Sequence, residues 1–183
     1  MQASPAAFPA GRADRLHAPP ALAGREFALR PAVAGDLAFL RRLYGQVRAA
    51  ELAAVPWPDA VKEQFLDSQF ALQHRHYLVH FADADFLLLE RAGEAVGRLY
   101  LQRRAPDYLI VDISLLDDQQ GQGVGGALID AVQQRAAAEG CGVRLHVEMH
   151  NERARRLYER LGFAPLAIEG AHRLMRWPGA SLS

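Results

Sequence analysis

The sequence predicts an α+β domain whose sheet is mixed, mostly antiparallel, with one parallel strand pair. Three observations lead there. Apolar residues recur first with a period of two and then with helical spacing, in the order strand, two helices, three-strand meander, helix, strand, helix, hairpin. Between Tyr108 and Val147 a strand, a glycine-rich turn, a helix and a second strand follow one another, a crossover that lays two strands in parallel. The 183 residues are 50% hydrophobic and 23% charged, a composition that builds one packed core and excludes global disorder.

Residues 1–24 carry Pro5, Pro9, Pro19 and Pro20 without periodicity and are expected to be a flexible Ala/Pro-rich tail ahead of a domain over 25–183. Phe27-Ala-Leu29 reads as a short strand stopped by Pro31. Asp36 is placed to cap a helix reaching about Ala50, with Leu37, Leu40 and Tyr44 on one face. Val55-Pro-Trp-Pro58 breaks it, and a second helix runs from about Asp59 to Tyr77. Phe86–Leu89 and Val96–Leu101 flank Ala92-Gly-Glu94 as a hairpin, and Tyr108–Leu116 follows as an apolar strand interrupted by Asp112 and Ser114. Val124, Ala127, Leu128, Ala131 and Val132 keep helical spacing after the glycines. Val143, Leu145 and Val147 then alternate with Arg144, His146 and Glu148, as in a half-buried strand. A helix from Asn151 to Leu161 ends at Gly162. Two strands, about Ala164–Ile168 and His172–Trp177, turn around Gly170.

Charge and cysteine content exclude several functions. The 21 basic residues balance 21 acidic ones, so no basic surplus points to nucleic acid or an anionic membrane. No apolar run approaches the length of a membrane span, and residues 1–22 lack the charged start and continuous apolar stretch of a signal peptide. The single Cys141 rules out an intrachain disulfide or a cysteine-rich zinc site; it is expected to be a small core residue, and a cytoplasmic location is expected. His74, His76 and His80 have no third ligand at metal-binding spacing and are expected on a solvated or partly packed helix face. No metal is expected.

The segment Asp117-Asp-Gln-Gln-Gly-Gln-Gly-Val-Gly-Gly126 places four glycines in six residues at the opening of a helix. The first-turn N–H groups of a helix lack partners and carry partial positive charge, so a bare backbone there binds anions, pyrophosphate above all. A mononucleotide P-loop needs Lys-Ser/Thr after its last glycine, whereas Ala127-Leu128 stand here. Gly121-x-Gly123-x-x-Gly126 with Glu148 beyond it fits a dinucleotide fingerprint in letters only. Asp117–Gln120 separates strand from glycines, and too little chain follows Glu148 for further βαβ units.

Gln120-x-x-Gly123-x-Gly125 before a long helix resembles the acyl-CoA-binding motif of the GCN5-related N-acetyltransferase (GNAT) family. A second motif agrees, Asn151-x-x-Ala154-x-x-Leu157-Tyr158 through Gly162-Phe163, just after the strand that follows the helix. The likeness covers about 150 residues, from Glu26 to Trp177, and departs at Gln120, where the family more often has Arg.

The resemblance implies a three-layer α/β/α acyl-CoA N-acyltransferase fold, whose parallel strands splay, and acetyl transfer from acetyl-CoA to an amine by direct attack. It implies that the backbone of Gly121, Gln122, Gly123, Val124, Gly125 and Gly126, with Gln120, holds the pyrophosphate. The strand leaves its neighbour near Leu115, where a backbone N–H polarises the thioester and unpaired groups hold pantetheine. Asn151, Ala154 and Tyr158 fall within about 60° of one another on a helix. Asn151 is thus expected to bind the cofactor arm, and Tyr158 to protonate the departing thiolate or else to join the core stripe. Asp112, Glu148, His146 or water are open as the base. Acceptor selection is expected from the segments holding Glu51, Val55, Trp57 and Arg173, Trp57 serving as a rigid wall or as a loop anchor. The acceptor would be a small-molecule amine or a protein amino group, with room for a homodimer. A non-catalytic acyl-CoA-binding regulator on the same fold is the alternative.

Overall fold

The structure, a computed structural model, describes residues 7–179. In chain order it contains α1 (Pro20–Ala23), β1 (Phe27–Pro31), α2 (Leu37–Ala53), α3 (Asp59–His80), β2 (Asp85–Arg91), β3 (Glu94–Gln102), β4 (Asp107–Leu115), α4 (Val124–Ala138), β5 (Gly142–Glu148), α5 (Glu152–Arg160), β6 (Ala164–Glu169) and β7 (His172–Trp177). The strands form one seven-stranded sheet in the order β1-β2-β3-β4-β5-β7-β6.

Successive strand side chains point to opposite faces, and β2 shows what each face meets. Leu87 and Leu89 join a core with Leu22 of α1, Val124, Leu128 and Val132 of α4, and Tyr158 of α5. Leu88 packs instead with Leu40, Leu43 and Tyr44 of α2 and Phe70 of α3, and Phe86 with Leu78 of α3 and Tyr100. The sheet is therefore sandwiched, with α2 and α3 on one face and α1, α4 and α5 on the other. Burial on both faces explains the near-continuous apolar runs of β2 and β3.

Among the described residues only β4 and β5 pair in parallel, from Asp107 opposite Gly142 to Ile110 opposite Leu145. Beyond that point β4 continues to Leu115 against β3 alone, while β5 continues against β7 to Glu148. The β3–β4 register jumps between Tyr100–Asp112 and Leu101–Ile110, leaving Val111 as an extra residue. Such a bulge bends its strand, so the split opens at Val111, upstream of the expected Leu115.

The chain before the first strand departs from expectation. Residues 1–6 lie outside the described residues, but 7–24 lie against the domain rather than forming a loose tail. Leu16 and Leu22 are 8% and 1% exposed, and Phe8 packs against both α2–α3 clusters. The Asp14 carboxylate accepts two hydrogen bonds from Arg103, each 3.0 Å, which pull its pKa down to about 2. These anchors are single residues far apart in a proline-rich stretch, so no periodicity betrays them. Asp36 also behaves differently. Its carboxylate accepts from the Val33 N–H and from both Arg30 terminal nitrogens, each at 2.8 Å, rather than from a first-turn amide of α2.

Candidate functional site

Where β4 leaves β5, two cavities meet. One, of about 410 Å³, lies along the glycine turn and α5; the other, of about 250 Å³, lies between the strand ends and the α2–α3 pair. Val47, Ile113, Ser114, Asn151, Ala154 and Tyr158 line both.

Along the glycine turn, the wall of the first cavity is bare backbone at Gly121, Gly123, Gly125 and Gly126. Gly121 and Gly123 have φ of +72° and +79°, a left-handed conformation natural to glycine, and Gly123 immediately precedes α4. A Cβ on Gly123 would meet nothing within 4 Å, so the space before the first turn of α4 is open to a ligand. A cradle lined by amides at a helix start fits a pyrophosphate. Val124 turns its side chain into the core and is fully buried. Gln122 donates through its side-chain amide to the Asp118 carbonyl, and its own carbonyl accepts from Arg25 at 3.1 Å. The Gln120 amide does not point freely into the cavity: it donates to the Leu115 carbonyl at 3.1 Å and to Asp117 at 3.3 Å, while its oxygen accepts from Arg153 at 3.3 Å.

Asn151 caps α5, its Oδ1 accepting from the Ala154 N–H at 3.1 Å, and it borders both cavities. Tyr158 is both a core residue and a wall of the junction. Its ring is 9% exposed, belongs to the main core and lies 6.1 Å from the Phe163 ring, yet the residue also lines the junction. Burial, with the Asp112 charge adding to it, pushes the phenol up to about 12, so it stays protonated at neutral pH.

The second cavity has a charged floor that the sequence does not advertise. Arg98, 3% exposed, donates to Asp112 at 2.7 and 3.1 Å and to Gln73 at 2.9 Å. Asp112 also accepts from Tyr77 at 2.8 Å and Ser114 at 2.7 Å. Both oxygens of this carboxylate are thus committed to four donor groups. Burial and the neighbouring Asp112 charge hold the Tyr77 phenol well above its ordinary value. His146 faces Glu169 at 2.9 Å. Glu148 lies 3.3 Å from His150 and 3.8 Å from Arg48, which also holds Glu51 at 2.9 Å. Ligand atoms of Glu51, Glu148 and His150 lie within 4.8 Å of one another, and the Arg48 guanidinium already supplies positive charge to both carboxylates.

Of the residues expected to select the acceptor, Glu51, Val55, Trp57 and Arg173 stand outside the lining of this cavity; Tyr44, Arg48, Gln73, Tyr77 and His172 form it instead. Trp57 is 43% exposed with its ring 5.5 Å from Phe65, so it anchors the α2–α3 connection. His74 is not on a solvated face: it is 7% exposed, between the rings of Phe8 and Phe70. Cys141 is a buried free thiol.

Comparison with known proteins agrees with the fold. The coenzyme A complex of PaiA N-acetyltransferase from Thermoplasma acidophilum superposes with a TM-score of 0.65 at 16% identity, covering 83% of this chain and 98% of that one. An acetyltransferase from Thermus thermophilus gives 0.61 at 21% identity, over 83% and 96%. The ribosomal-protein-S18-alanine N-acetyltransferase from Escherichia coli gives 0.55 at 19% identity, over 86% and 99%. At these identities the likeness is one of fold. No curated protein matches the chain significantly by sequence. Residues 47–163, which contain the split strands, the glycine turn and α5, match the family described as Acetyltransferase (GNAT) family, and to that family the chain belongs.

Proposed function

We propose that the protein transfers an acetyl group from acetyl-CoA to a primary amine, on a small molecule or a protein, by direct attack. The carrying observation is the junction: a cavity along the glycine turn and a cavity with polar side chains meet at Tyr158, and we assign the first to the acyl donor and the second to the acceptor. The backbone amides from Gly121 to Gly126 bind pyrophosphate, and the free edge of β4 up to Leu115 holds pantetheine and polarises the thioester carbonyl. Asn151 orients the arm. The amine nitrogen attacks the carbonyl carbon, the carbon–sulfur bond breaks, and Tyr158 gives its proton to the leaving thiolate. Glu148 takes the amine's proton. It borders the acceptor cavity, whereas the Asp112 carboxylate is committed to Arg98, Tyr77 and Ser114. No step requires a metal. Among the described residues no helix is long and apolar enough to cross a membrane.

Release of free thiol from acetyl-CoA, measured over polyamines, amino acids, aminoglycosides and peptide N-termini, tests the activity and finds the acceptor class. Acetyl-CoA at a hundred times its dissociation constant should stabilise the fold by about 2.7 kcal/mol, and chelators should leave turnover unchanged. No thermal shift at millimolar acetyl-CoA or CoA removes the donor assignment. Binding without turnover over a broad panel favours a regulatory module.

A further inference from the structure

Resting on the acyl-CoA assignment just made, we infer that Arg153 supplies the cationic contact to the donor's pyrophosphate, and that Gln120 is the neutral residue that positions it. The glycine turn has the amides for a diphosphate but no basic residue within it, and Arg25, which donates to the Gln122 carbonyl, stands outside the cavity lining. Gln120 stands where an arginine is usual in the family, and the acidic Asp117 and Asp118 flank the turn. Across the cavity, Arg153 of α5 reaches over it. One guanidinium nitrogen lies 3.3 Å from the Gln120 side-chain oxygen, and the other lies 3.4 Å from where a Cβ on Gly121 would stand. Arg153 lines the cavity together with Gly121, Gly123 and Gly125; Arg160, the other arginine of the lining, stands at the far end of α5 and makes no contact with Gln120 or Gly121.

The ion pairs of α5 do not account for this placement. On the same helix Arg155 is held by Glu152 and Glu159, whereas Arg153 makes no ion pair among the described residues. It sits in the first turn of α5, where the helix dipole disfavours a cation, so helix stability does not explain it. Gln120 donates to the Leu115 carbonyl and to Asp117 through its nitrogen, and that fixes its oxygen toward Arg153. An arginine at 120 would set two guanidiniums against each other. A glutamine there hands the charge to the opposite wall, where a planar fork can grip two phosphate oxygens.

Calorimetric titration with CoA and with 3′-dephospho-CoA tests this. Arg153→Ala, an exposed position, should weaken both ligands equally, by about tenfold to a hundredfold, and flatten the salt dependence of binding, with the melting curve of the free protein unchanged. Gln120→Ala should weaken binding less, and less than additively with Arg153→Ala. Gln120→Arg introduced into Arg153→Ala should restore affinity, a rescue that a purely structural hydrogen bond cannot provide. Unchanged affinity in Arg153→Ala overturns the inference. So does a loss seen with CoA but not with 3′-dephospho-CoA, which would put the guanidinium on the ribose phosphate, and so does a failed rescue. If the unmodified protein binds neither ligand, the acyl-CoA assignment itself falls.

Discussion

Tyr158 places an ionisable hydroxyl on a ring that the core holds still. With its pKa pushed up to about 12, the phenol is a full proton donor at neutral pH. Tyr158→Phe should lower turnover about a hundred- to ten-thousand-fold while acetyl-CoA affinity holds. A purely structural tyrosine would instead cost about 1 kcal/mol of stability and leave the rate per folded molecule alone. His74 makes a second prediction. Both ring nitrogens are buried without a hydrogen-bond partner among the described residues, and desolvation, then the Arg98 charge, lower its pKa below 6.5. The unfolded chain therefore binds the proton more readily, so stability is whole above about pH 6.5 and falls as the medium becomes more acid. His74→Leu should flatten that fall, as melting curves between about pH 7.5 and about pH 5.5 would show. Tyr158 and Asn151 were legible because their spacing forms a motif. Arg98 and His74 were not: His74 falls in line with Phe70 and Leu78 on the buried face of α3, and Arg98 lies two residues from the buried Tyr100 on β3, but a polar side chain at such a position gives no sign in the sequence of being covered.

At the scale of elements, the seven strands and the helices from α2 on were legible because each has its own period and its own punctuation, though α2 and α3 run to Ala53 and His80, past their expected ends, and α1 went unread. The hairpin turns at Gly93 and Gly170 and the end of α5 at Gly162 all have positive φ. What alternation could not show was the bulge at Val111, since inserting one residue leaves the composition of β4 unchanged and only alters its partner. The glycine turn is the element most open to test. Gly123→Val forces a branched side chain into a left-handed conformation and fills the space before α4. It should abolish measurable CoA binding while the circular dichroism of the folded protein is kept. Retained affinity would show the glycines to be a turn requirement alone.

Across the whole molecule, the N-terminal segment ties the layers together. Leu22 is 1% exposed within the main core, and Arg103 joins Asp14 to the buried Asp85. Leu22→Ala should cost about 2–5 kcal/mol, read from denaturant midpoints, far more than an unattached tail would allow. Composition misled here because alanine and proline dominate the stretch, while Phe8, Leu16, Leu22 and Asp14 do the anchoring. The order of the elements was enough for the layered fold, since a crossover of this kind has one common handedness and its helix must cover the sheet.

The strand split has a further consequence, for isotope exchange. Beyond Ile110 the β4 amides that face away from β3 have no partner on β5, so a sheet with two outer edges carries a third edge inside. These amides should take up deuterium quickly in the free protein, in contrast to 107–110, where the parallel ladder is closed. A donor lying along the gap would close this ladder as a missing strand does, and residues 111–115 should then become protected together.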